Sequence, residues 1–127
     1  MAGLTKVESY LMDLGISYQE ASAGTFFIDD SEKGLPGVVA TIDEPIVIVR
    51  ARVMTIPAEK RAELYETLLR LNASDMVHGA YALDGEDIVL LDTLEYGTMD
   101  KTEFEAALDS ISLALSRHYG ILGSFRG

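Results

Sequence analysis

The chain of 127 residues contains no cysteine and no tryptophan, and only three prolines and two histidines. Without cysteine there is no disulfide framework, no thiolate nucleophile and no metal site built on sulfur. The same lack agrees with a reducing compartment. Basic residues are scarce, 10 against 21 acidic ones, which leaves a net charge of −11. A field of that sign repels phosphate backbones and anionic lipid heads, so no nucleic-acid partner is expected. No apolar run approaches the ~20 residues of a spanning helix, and no basic stretch followed by an apolar block opens the chain. A cytoplasmic location with no membrane partner is therefore expected. What is present is material for a core. Hydrophobic residues make up 48%, too many for a disordered chain. The length fits one domain over residues 1–127.

The motifs of common chemistry are missing too. There is no glycine-rich phosphate loop, no Gly-Xaa-Ser-Xaa-Gly elbow and no His-Glu-Xaa-Xaa-His. His78 precedes a glycine at a strand entrance, and His118 lies near a helix end, where a cation favours the negative terminus. Nothing in their spacing joins them. The acidic run from Asp29 to Gly34 fails the calcium-loop pattern, since Lys33 falls where an oxygen ligand belongs, and it reads as a solvated turn. Asp84, Glu86 and Asp87 belong to a chain reversal. Arg50 and Arg52 could hold an anion on one sheet face, but salt bridges to the surplus acids are the better expectation. No catalytic residue, cofactor or metal is expected.

Periodicity describes an α+β fold. Leu4, Val7, Leu11 and Leu14 recur at helical spacing, Thr5 and Glu8 have the spacing of a capping box, and Gly15 suits a left-handed C-terminal cap. The period then becomes two. A weak strand follows Ile16, and a better one runs from Thr25 to Asp29 with Phe26 and Ile28 opposite Phe27. Pro36-Gly37 reads as a break before a strand from Val38 to Ile42, and the longest strand runs from Ile46 to Thr55, its second half alternating with Val49, Ala51 and Val53 on one side and Arg50 and Arg52 on the other. Pro57 suits a first helical turn, predicting a helix from there to about Asn72. That helix has two adjacent apolar rows: Ala58, Ala62, Tyr65 and Leu69, then Leu64, Leu68 and Leu71. Gly79 to Tyr96 reads as a hairpin turning at Asp84-Gly85, with the remaining elements arranged to cover it. Met99 and Phe104 staple a last helix around Asp100 and Glu103. It ends near Tyr119-Gly120 with Ile121 as a cap contact, before a loose tail from Ser124 to Gly127. Short turns between consecutive strands mean an antiparallel sheet, in the order α-β-β-β-α-β-β-α beside the weak first strand.

Leu71-Asn72, the run His78-Gly79-Ala80-Tyr81-Ala82-Leu83-Asp84, then Ile88-Val89-Leu90, Thr93-Leu94, Asp100, Glu103 and Phe104 together resemble the YbjN-like family and the related Tir/CesT-type fold of type III secretion chaperones. The resemblance implies a non-enzymatic, protein-binding domain, chaperone-like or regulatory, that forms a homodimer and holds an extended segment of a client protein. The wide apolar stripe of the second helix makes Tyr65, Leu68 and Leu69 the candidate dimer or partner surface. A small-ligand sensor is the alternative, with a pocket between sheet and helices lined by Phe26, Phe27 and Tyr81. An enzyme would need His78, Arg50 and Asp92 to converge.

Overall fold

The computed structural model describes residues 5–126. Leu4, named above in the first apolar row, lies outside them. Helix α1 (Lys6–Asp13) starts where Thr5 accepts the Glu8 amide at 3.1 Å and ends before Gly15, whose φ of +67° the left-handed cap requires. Only half of the capping box forms, because the Glu8 carboxylate instead accepts the Tyr18 hydroxyl at 2.9 Å. The weak strand is real: β1 (Tyr18–Ser22) pairs with β2 (Thr25–Asp30). Next come β3 (Leu35–Asp43) and β4 (Ile46–Thr55). Helix α2 (Arg61–Ser74) leads to β5 (Ala80–Asp84), β6 (Asp87–Glu95), α3 (Lys101–Arg117) and a short α4 (Tyr119–Gly123).

The six strands form one antiparallel sheet in the order β1-β2-β3-β4-β6-β5. The hairpin β5–β6 is therefore not the centre expected of it. β4 is central, and β5 and β1 are the two edges. One register row, Ile28, Val38, Ala51, Leu90 and Tyr81, runs across five strands and is buried throughout. It faces Phe104, Leu108 and Ile111 of α3, whose capping box at Asp100 and Glu103 forms as expected. The alternate row, Phe27, Val39, Arg50, Leu91 and Ala80, lies on the side away from the helices.

Five local expectations are corrected. Helix α2 begins at Arg61 rather than Pro57, because Lys60 takes a φ of +60° that no helix can continue through, and Arg61 Nε donates back to the Pro57 carbonyl at 2.7 Å. β3 starts at Leu35 and includes Pro36, tolerated there because the ladder with β4 begins only at Val38. A bulge between Arg52 and Met54 shifts the alternation of β4, so Met54 rather than Val53 reaches the core. At the C-terminus the apolar anchor is Leu122, while Ile121 is exposed. The tail to Arg126 is not loose, since Phe125 packs on the core and Arg126 lies over the Tyr119 ring.

Candidate functional site

The two apolar rows expected of the second helix have different fates, and Ala58 falls before α2 altogether. Leu64 and Leu68 are buried in the monomer's own core, whereas Ala58 and Ala62 are exposed and Leu69 is 68% exposed. Tyr65 is half-buried between them. Alongside, edge strand β5 presents Leu83 at 51% exposure. Between helix and strand lies an open groove of about 280 Å³ lined by Tyr65, Leu68, Leu69, Asn72, Tyr81, Ala82 and Leu83. All three surface residues expected from the sequence line it, with Leu68 contributing its flank and Leu69 standing proud. The lining is mostly hydrocarbon, with polar side-chain groups from Asn72 and the two tyrosines alone. A groove so apolar binds by excluding water from hydrocarbon.

Tyr81 holds the groove in shape. Its N–H donates to Asn72 Oδ1 at 2.7 Å, and Asn72 Nδ2 donates to its carbonyl at 3.2 Å. Its hydroxyl lies 2.7 Å from His118 Nδ1, and His118 Nε2 lies 2.7 Å from Asp75 Oδ2. His118 is 1% exposed, so the chain of contacts ties the ends of α2 and α3 to β5 inside the protein. Hydrogen bonding from His118, aided by the Arg117 charge, holds the Asp75 carboxyl below its ordinary value. Burial, reinforced by the Asp75 charge, pushes the Tyr81 hydroxyl up to about 12, so it stays a donor. In the neutral imidazole Nε2–H therefore donates to Asp75, and Nδ1 accepts from Tyr81.

A pH dependence follows from the depressed Asp75. Its carboxyl binds a proton more readily in the unfolded chain than in the folded one. The stability it contributes is thus complete above the ordinary carboxylate value of 3.8 and fades as pH falls through its lower folded value. Denaturant midpoints measured across acid pH should show Asp75→Asn with a flatter acid limb than the wild type. Identical limbs would remove Asp75 from the linkage.

The other expected sites do not assemble. Phe26 is fully buried on the helix side, Phe27 lies on the opposite side of the sheet, and Tyr81 is four strands beyond β2, so the three line no common pocket. His78 and Asp92 do border one open depression of about 450 Å³, with Thr98, Thr102 and Glu103. Arg50 cannot join them: Val49 pairs with Asp92 while Arg50 pairs with Leu91, which puts Arg50 and Asp92 on opposite faces. Arg50 instead bridges to Asp84 at 2.6 Å and Arg52 to Asp87 at 3.1 Å, as the charge balance suggests. The Asp29–Gly34 turn is less solvated than expected, since Asp30 is buried and accepts the Ser17 amide at 3.0 Å. Among the described residues no three His, Asp or Glu side chains are grouped to hold a metal, and no helix is long and apolar enough to cross a membrane. His118 as a buried link was not foreseen. Its partners lie 37 and 43 residues away in the chain, and no local pattern announces them.

The described residues thus form an open six-stranded antiparallel sheet backed on one face by helices, with an apolar groove at one edge. The sequence matches the CesT_Tir_1 family over residues 2–126, and the chain belongs to this family of type III secretion chaperones. Solved structures share the fold at low identity. YbjN from E. coli is 16% identical, with a TM-score of 0.71 over 94% of this chain and 93% of that one. A chain of the heterodimeric ExoU–SpcU complex from the type III secretion system of Pseudomonas aeruginosa is 19% identical, with a TM-score of 0.71 over 87% of this chain and 93% of that one. A chain of the Yersinia pestis secretion chaperone SycH in complex with a fragment of YscM2 is 19% identical, with a TM-score of 0.62 over 87% and 93%. Comparison with curated proteins finds no match.

Proposed function

We propose that this protein is a non-enzymatic, chaperone-like binding domain that works as a homodimer and holds an extended segment of a partner protein. The observation that carries the proposal is the apolar groove between α2 and β5, flanked by the projecting Leu69 and Leu83. A patch that carries both a socket and leucines able to fill one is suited to a twofold contact, in which each copy inserts into the other. The likeness to SpcU with ExoU and to SycH with a YscM2 fragment supports a protein partner. The opposite edge, β1, suits an extended segment. It is exposed along most of its length, and among the described residues no side chain bonds to the backbone of Tyr18–Ser22. Added strands gain their affinity from such free backbone groups.

The proposal is tested by affinity capture from native lysate, followed by hydrogen exchange on the recovered complex. A dedicated polypeptide that slows amide exchange in Tyr18–Ser22 is the expected result. Recovery of the chain alone, or with a small metabolite in place of a polypeptide, would contradict it.

A further inference from the structure

The sheet has two edges, and they are not equally open. The Gly85-Glu86 turn closes between Asp84 and Asp87, so Ala82 and Ala80 direct their backbone groups at β6, while Tyr81 and Leu83 direct theirs outward. Both outward groups of Tyr81 are already taken by one side chain: the Asn72 amide accepts from its N–H at 2.7 Å and donates to its carbonyl at 3.2 Å. A primary amide paired in this way reproduces what a neighbouring strand would offer at that position. Asn72 sits in the last turns of α2, where nothing but this contact calls for a residue with one donor and one acceptor. Nothing comparable is found on β1 among the described residues.

We infer that Asn72 closes the β5 edge: by occupying the outward N–H and C=O of Tyr81 it denies that edge to an added strand, so an extended partner pairs at β1 and only side chains enter the groove beside α2. Unprotected sheet edges pair with whatever strand is available, and a side chain that uses up edge groups prevents it. The division of labour between the edges rests on the partner-binding reading. The closure of β5 does not, and can be measured on the full chain alone.

Amide hydrogen exchange followed by NMR tests it. In the wild type the Tyr81 amide should exchange about tenfold or more slowly than the outward Leu83 amide, although both point away from the sheet. Asn72→Ala should abolish that difference. Asn72→Asp keeps an acceptor for the N–H and should leave Tyr81 slower than in the alanine variant, which separates loss of the contact from general loosening. Asn72→Ala should also form concentration-dependent species larger than the wild type in sedimentation velocity. Equal Tyr81 and Leu83 rates in the wild type, or a slow Tyr81 amide in Asn72→Ala, would overturn the closure. An alanine variant with fast Tyr81 exchange but the wild-type size distribution at every concentration would overturn the edge-guarding role. None of these readings involves a client, so their failure and the failure to find a partner are distinguishable.

Discussion

Leu69→Asp should yield a folded monomer. Leu69 is 68% exposed in the isolated chain, so a carboxylate there meets water and should alter folding stability by no more than about 0.5 kcal/mol. In a twofold dimer the same change is made twice and buries two unpaired charges beside Tyr65 and Leu83. Losing about 2 kcal/mol at each of two central leucines weakens association by on the order of a thousandfold. Light scattering should report half the wild-type mass, with an unchanged far-ultraviolet spectrum and thermal midpoint. The neighbouring Leu68, equally plausible from the sequence, is the wrong position for this experiment. It is 5% exposed and belongs to the core of the monomer, so Leu68→Asp should unfold the chain instead of separating its copies.

His118→Ala should be among the most damaging single changes outside the aliphatic core. The imidazole is 1% exposed, and removing it leaves a void and deprives the Tyr81 hydroxyl of its partner, on a residue only 6% exposed. An unmade buried hydrogen bond together with an unfilled cavity costs about 2–4 kcal/mol. For a domain of this size that lowers the thermal midpoint by roughly 10–15 °C. Tyr81→Phe removes only the hydroxyl and should cost about 1 kcal/mol. The double variant should lose less than the two single losses combined, because each single change already breaks the same contact. A His118→Ala protein melting with the wild type would show that the Asp75–His118–Tyr81 chain contributes nothing to the fold.

These two residues also mark how far the sequence can be read. Signals confined to a few neighbouring positions translate directly into structure: Asp100 with Glu103, Met99 with Phe104, Gly15 after α1, and the reversal at Asp84-Gly85 all form as their chemistry requires. The alternation of Phe26, Phe27 and Ile28 correctly assigns the two sheet faces. Failures occur where a neighbouring backbone conformation or a distant contact overrules a residue's own preference. Pro57 is well suited to open a helix, yet the left-handed Lys60 delays α2 until Arg61. The break expected at Pro36 becomes strand because the β2 ladder brackets it, at Leu35 and Val38, while no β4 partner there asks for the N–H that proline lacks. The apolar stripe of α2 announces a buried helix face, but not which of its rows the monomer keeps for itself. That depends on where β5 lies, and β5 follows in the chain. The groove was therefore half legible, through Tyr65, Leu68 and Leu69, while Tyr81, Leu83 and the Asn72 contact appear only once the edge strand is placed.

Sedimentation equilibrium of the unmodified chain, run beside Leu69→Asp over the same range of concentrations, bears most directly on whether the α2–β5 groove is a self-association surface. The wild type should fit a reversible dimer of twice 13.8 kDa, and the variant a single species of 13.8 kDa. A wild type that remains at 13.8 kDa throughout, or a dimer that Leu69→Asp leaves intact, would contradict it.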